Sequence, residues 1–366
     1  MFLSIFLLFI YLAQSTTTTT TYDGIIRRST DGTSYAYLSP PRSANHAAFI
    51  EEITSSHTLS VAWFSGSEGT PNCSIALSLL QFGLQQFTPG VIVSERVNYS
   101  NQNPVLFWNN QTQLLHLYHS SQLGNAGETN SEIWHLQSKD QGITWSTPES
   151  FYTLPGAFDR NRIIPTLNND GLILPCYNSS PETDYSFILR SSSNTTEWIR
   201  TDIEKSDNLI QPTIVRLNNS SHLRAFFRDE NNVAIYYSDS NDDGLTWSKP
   251  IPTSLPNDNS GIQAYTLRNG GIIMAFNNLT AGEPRSPLTV ALSYDNGMSW
   301  PYQRNIQVHD DDNSTIVGDY SYPSLLQTSW SGSDDNDIHL AYTYGLKTKR
   351  TIKYVRFNEK WVRQGQ

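Results

Sequence analysis

Two cysteines, Cys73 and Cys176, are all that 366 residues contain, which excludes a small disulfide-stapled architecture. They leave open one bridge or two buried thiols, and neither sits in a cationic run that would favour a reactive thiolate. Charge is scarce at 16%. Its basic part is scarcer still, with 24 Lys and Arg against 34 Asp and Glu and a net charge of -10. That balance excludes a nucleic-acid partner, which demands clustered cations. Cys-x-x-Cys and His-Glu-x-x-His spacings are missing, so no metal or cofactor motif is present. No long stretch has helical periodicity, and beyond the first residues no apolar run reaches the length of a membrane span.

The opening MFLSIFLLFIYLAQS is apolar and ends in small residues, as a secretory signal peptide cleaved after Ser15 would. A Thr-rich segment, 16–40, follows and is expected to supply a closing strand to the domain spanning 41–366. Sequons stand at Asn72, Asn98, Asn110, Asn178, Asn194, Asn218, Asn219, Asn278 and Asn313. Together with the leader they predict a glycoprotein that is secreted or held in the lumen of the secretory or lysosomal pathway. No stable membrane insertion is expected once the leader is removed.

The chain repeats itself. SKDQGITW (138–145), SNDDGLTW (240–247) and SYDNGMSW (293–300) share one form, and SSSNTTEW (191–198) is a degraded copy. Their starts lie 53, 49 and 53 residues apart, and the same period reaches Phe87 on one side and Trp361 on the other, giving six units. Each unit reads as four short strands. The first strands are NHAAFIEE (45–52), NPVLFWN (103–109), IIPTLN (163–168), QPTIVRL (211–217), GIQAYTL (261–267) and YPSLLQT (322–328). Pro104 and Pro212 are read as strand-start prolines that cost no ladder bond. Four-stranded antiparallel units at this period predict an all-β, six-bladed propeller. The Asp-Gly octapeptides serve as turns between third and fourth strands, with Trp filling the space between blades.

Up-and-down blades place first-strand starts and the loops between second and third strands on one face. That face gathers Asn45, His46, Arg160, Arg162, Gln211, Asp319, Tyr320 and Tyr322, together with Glu68, Arg228, Asp229, Arg285 and Arg350. Five arginines converging in an acidic chain point to an anionic small ligand, because guanidinium matches a carboxylate in two parallel bonds. The plain alternative is that each arginine joins neighbouring blades in a salt bridge.

NQNPVLF (101–107), QPTIVRL (211–217), NSGIQA (259–264), PRSPLTVALSYDNGMSW (284–300) and YSYPSLLQT (320–328) resemble the sialidase (neuraminidase) superfamily, in its Asp-box, BNR repeat-like branch. The resemblance covers roughly residues 40–362. It implies Arg228 and Arg285 as two of three carboxylate-binding arginines, and Tyr322 as the nucleophile with Tyr320 as the register alternative. It also shows departures: Gln211 stands where the family has Glu, Asn45 and His46 where it has its first Arg, and Asn72 near its acid/base Asp.

The expected function is therefore a sialidase-like exo-glycosidase acting on a terminal acidic sugar of a glycoconjugate. Tyr322, Glu68 and His46 are its candidate catalytic residues, Glu68 being the substitute acid. Arg228, Arg285, Arg160, Gln211, Tyr320 and Arg350 are its candidate substrate contacts. Two other readings stay open: a His46-dependent uronate lyase or rhamnosidase on the same propeller, and a glycan-binding protein without catalysis.

Overall fold

The second strand of each blade has neighbours on both faces, so its residues are buried in succession and not alternately. Thr58–Ser65, Leu223–Asp229 and Ile272–Asn277 show this continuous burial, whereas the outermost strands Val91–Ser94 and Glu149–Tyr152 are only partly covered. The computed structural model describes residues 20–191, 197–280, 282–329, 337–346 and 349–365. The signal peptide, residues 16–19 of the Thr-rich segment, Asn194 and the middle of SSSNTTEW lie outside the described residues.

Six antiparallel sheets form the ring, their first strands innermost. Blade one runs from Asn45–Ile53 to Val91–Ser94, and blade two from Tyr99–Asn109 to Glu149–Tyr152. Blade four runs from Leu209–Arg216 to Ile251–Pro252, and blade five from Gln263–Thr266 to Tyr302–Gln307. Blade three departs from the expected single strand at 163–168. Its inner edge is split into Ala157–Asp159 and Ile164–Pro165, both pairing with Leu172–Asn178. Blade six combines Asp319–Gln327, Asp337–Leu346 and Lys349–Asn358 with Ser34–Tyr37, which pairs antiparallel to the third of these. The N-terminal segment therefore supplies the last blade's fourth strand. Trp361, where the repeat period placed the start of that strand, lies instead in the short helix Glu359–Arg363.

The Asp-box turns are built alike. In the first, Thr144 holds the Asp140 carboxylate through its hydroxyl and its N–H, lowering the carboxyl to about 2, while Ser138 Oγ accepts the Gly142 N–H at 2.8 Å. Gly142, Gly244 and Gly297 take the positive φ that each turn needs. Trp300 packs edge-on against Phe226 of the preceding blade, ring centroids 5.9 Å apart. Cys73 and Cys176 are both free and buried in one core cluster, which resolves that pair as two thiols.

The inner strands carry a shared irregularity that shapes the site. In blades one, two, four and six the register shifts by one residue, and Ala47, Asn103, Gln211 and Tyr322 sit at φ of 55°, 50°, 51° and 53°. These are β-bulges, which bend the strand and re-aim a side chain. Pro104 and Pro212 each follow a bulge residue inside the strand. They escape the ladder there, and not at a strand start as the sequence suggested.

Candidate functional site

Tyr322 occupies the bulge of blade six and is 7% exposed. Three guanidinium carbons surround its ring, those of Arg285, Arg160 and Arg228 at 5.3, 5.4 and 5.7 Å from the centroid. Arg228 Nη1 donates to the Tyr322 hydroxyl oxygen at 2.7 Å, and Arg228 Nε donates to Asn259 Oδ1 at 2.7 Å. Arg285 Nη2 reaches the Asn259 carbonyl at 3.3 Å. Arg160 Nη2 donates to the Pro323 carbonyl at 3.3 Å, while its Nε and Nη1 are buried without a partner. Burial pulls Arg160 down to about 10, which leaves it charged at neutral pH. Among the described residues none of these three arginines forms an ion pair with a carboxylate.

The other two arginines behave differently. Arg162 turns toward the opposite face and pairs with Glu51 at 2.6 Å while donating to the Ile50 and Leu325 carbonyls, so it is an inter-blade tie. Arg350 pairs with Asp319 at the rim, and Ser321 Oγ also donates to that carboxylate. Salt bridging thus accounts for two of the five arginines, and three are left for the axis.

Below the arginines the channel is closed by side-chain amides and hydroxyls. Asn161 Nδ2 donates to the Gln211 carbonyl, Gln263 Nε2 to Asn161 Oδ1, Ser324 Oγ to Gln263 Oε1, and the Ile50 N–H to Ser324 Oγ. The Gln211 Oε1 has no partner and lies by the Tyr322 ring. A Cβ on Gly261 would come 3.2 Å from both, a tight contact that glycine spares the blade-five loop.

His46 packs against Tyr322 with ring centroids 4.2 Å apart and the planes inclined at 52°, and its Nδ1 meets Thr343 Oγ1 at 2.8 Å. Burial, reinforced by Arg350, Arg285, Arg160 and Arg228, pushes it well below the ordinary imidazole value, so it is neutral. Asn45 holds Trp63 Nε1 and Ser65 Oγ and donates to two carbonyls, a purely structural set. Tyr320 does not reach the axis. It is fully buried in the core of blades five and six, where its hydroxyl accepts the Gly318 N–H at 3.0 Å. The bulge between Ser321 and Ser324 separates the two tyrosines, which a regular strand would have put on one face.

Glu68 stands exposed on the loop between the second and third strands of blade one, within electrostatic reach of the arginines. Its carboxyl is raised by the surrounding protein and by Glu128, against the opposing pull of Arg350, Arg285 and Arg228. Glu128, Asp184 and Glu230, from the equivalent loops of blades two, three and four, are raised as well, Glu230 to about 6. The rim therefore carries carboxylates over blades one to four, and over five and six a cavity of about 300 Å³ is lined by Arg285 and Arg350 together with Glu283 and Asp319. A larger cavity, about 530 Å³, opens on the opposite face beside Trp108 and Arg162. Much of its polar lining is already used internally: Asn110 accepts the Trp108 indole N–H, Asn109 caps its own turn, and Glu51 takes Arg162. Among the described residues no three His, Cys, Asp or Glu side chains gather to hold a metal ion.

Sequence reasoning missed Asn259, which ties Arg228 to Arg285, and its neighbour Asp258, buried with both carboxylate oxygens unpartnered. Their position at the inner edge of blade five was the available signal.

A ring of six blades with unpaired arginines about a bulge tyrosine defines a propeller of the sialidase class. The BNR repeat-like domain family matches residues 57–336, and the chain belongs to it. No curated protein matches the sequence significantly. Among solved structures, a Hadza microbial sialidase is 16% identical with a TM-score of 0.70, over 87% of this chain and 66% of its own, so the chain spans just under two thirds of that protein. The intramolecular trans-sialidase of Ruminococcus gnavus is 13% identical, TM-score 0.71, over 87% and 95% of the two chains. The NanB sialidase of Streptococcus pneumoniae is 12% identical, TM-score 0.72, over 93% and 71%. At these identities the likeness is one of fold.

Proposed function

We propose that the axial pocket takes the carboxylate of a terminal acidic sugar, sialic acid or a near relative, and that Tyr322 attacks its anomeric carbon in an exo-glycosidase reaction. One observation carries this reading: three arginines without carboxylate partners meet at one tyrosine in a chain of net charge -10. Arg228, donating to the phenolic oxygen, is placed where negative charge would develop on the attacking atom. Glu68, its carboxyl raised, is assigned to protonate the departing oxygen. Neutral His46, packed on Tyr322, is assigned to accept the phenolic proton. Its low basicity makes for slow turnover. The leader and sequons support secretion or a lumenal location, with a glycan of a glycoconjugate as substrate.

A second reading, sugar binding without turnover, is favoured by Gln211, whose Oε1 stands unpartnered beside Tyr322 and whose amide cannot take a proton. A fluorogenic sialoside assayed from pH 4 to 7 separates the two. Turnover that Tyr322→Phe abolishes and Arg285→Ala weakens at least ten-fold supports hydrolysis. Binding of the sialoside with no release of fluorophore supports the second reading, and neither binding nor release removes both.

A further inference from the structure

Asp258 is only 5% exposed, yet neither of its carboxylate oxygens has a hydrogen-bond partner among the described residues. Burying a carboxylate unpaired is costly, and native structures keep few such groups without a use for them. Its surroundings are fixed on both sides. Asn257 Oδ1 accepts the Asp229 N–H at 2.9 Å and its Nδ2 donates to the Ser260 carbonyl at 3.2 Å. Asn259 carries Arg228 on its side chain and Arg285 on its carbonyl. The loop that sets the arginine pair therefore also sets Asp258 beside it, though in ion-pair contact with neither. Arg285, Arg228 and Asp319 are the charges that act on its carboxyl, which burial raises to about 6.

Simple anion capture does not explain this arrangement. A carboxylate next to an anion seat repels a bare anion, and Asp258 offers nothing to it. A ligand that presents an O–H close to its own carboxylate reverses the sign: the arginines take the anion while the hydroxyl satisfies Asp258. Sugar acids have that geometry, and sulfate and carboxylic acids that lack a hydroxyl do not.

We propose that Asp258 is a specificity-determining residue of the pocket, accepting a hydrogen bond from a hydroxyl of a sugar acid whose carboxylate lies on Arg228 and Arg285. This rests on reading the pocket as an acidic-sugar site. Arg285, partly exposed and held by one 3.3 Å hydrogen bond besides its contact with the Tyr322 ring, is the side chain that must turn to the ligand for Asp258 to face it.

Calorimetric titration of the folded protein at pH 7.5 with N-acetylneuraminic acid and, separately, with hydroxyl-free cyclohexanecarboxylate tests the assignment. Asp258→Ala is expected to weaken the sugar acid at least ten-fold while leaving the bare carboxylate unchanged or tighter. Asp258→Asn, whose amide oxygen still accepts, should recover part of the loss and carries the test if the alanine variant does not fold. Arg285→Ala should weaken both probes. Unchanged or tighter binding of both probes to Asp258→Ala, with Arg285→Ala still impaired, overturns the role of Asp258 and leaves the pocket standing. Failure of the wild-type protein to bind either probe overturns both.

Discussion

Asp159 and Arg160 place an ionisable pair in full burial next to the site. The Asp159 carboxylate keeps one hydrogen bond, from Ser120 Oγ at 2.6 Å to Oδ1, while Oδ2 has no partner, and desolvation raises its carboxyl to about 7. A carboxyl with a higher value folded than unfolded binds its proton more tightly in the native state. Its stabilising share is whole below the unfolded value and is lost as pH rises through the folded one. The Asp159 share of stability is therefore expected to fall between pH 5 and pH 8.5, so that the melting temperature of Asp159→Asn rises relative to wild type across that range. A variant whose pH dependence matches wild type would show that Arg160 already neutralises the charge. The sequons can be sorted by the same attention to single side chains. Asn178 is buried and its Nδ2 donates to the Pro155 carbonyl at 2.8 Å, whereas Asn72, Asn98, Asn110, Asn218, Asn219 and Asn313 are exposed. Glycopeptide mass spectrometry of the protein expressed through a secretory pathway is expected to find Asn178 bare.

At the scale of the element, the bulge is what turns a propeller strand into a site. A left-handed conformation costs a non-glycine residue roughly 1–2 kcal/mol, and four inner strands each accept it at the same place. Because Ala47 and Asn103 do so without belonging to the arginine cluster, the strain belongs to the architecture, and Gln211 and Tyr322 use it. Ala47→Val puts a β-branched side chain at φ 55° in a full core, and it should destabilise the protein by about 2 kcal/mol or more. A urea midpoint equal to wild type would argue that the strand can slip out of its bulge. The same feature limited what the sequence could show. Strand identity, order and facing were legible from the fifty-residue period, and so Arg228, Arg285 and Tyr322 could be brought together. The choice between Tyr320 and Tyr322 was not legible, since period-two reasoning assigns both to one face. The prolines after Asn103, Gln211 and Tyr322 marked the bulges all along, but in sequence they look like strand starts. Arg162 and Arg160 were equally indistinguishable, because the carboxylate that claims Arg162 lies over a hundred residues away on Glu51.

On the scale of the whole molecule, a ring of blades has no stable partial core, so its closure governs the stability of every blade. Here closure depends on a segment from the far end of the chain. Ala36 and Leu38 are fully buried in one cluster with Trp63 of blade one and Ile352 and Tyr354 of blade six. The Leu38 N–H donates to the Ile352 carbonyl, and the Leu38 carbonyl accepts Thr351 Oγ1 at 2.8 Å. Continuing outward, Gly24 and Ile26 exchange backbone hydrogen bonds with the 85–87 stretch of blade one, and the Gly90 N–H donates to the Ser39 carbonyl. Tyr37 adds an anchor by donating to Asp311, which also takes Lys353. The segment thus sews blade six to blade one. Burying a leucine or an aromatic residue is worth about 1.5–3 kcal/mol, against a total stability on the order of 5–15 kcal/mol. Leu38→Ala should cost about 2–5 kcal/mol in denaturant titration. A chain beginning at residue 41 should melt well below one beginning at residue 20 and, on the proposed function, lose sialoside binding with its fold, since Asp319, Tyr322 and Arg350 all hang from the blade that the segment completes. An equal melting temperature for the two chains would mean that blade six stands on three strands, and that the pocket owes nothing to the N-terminus.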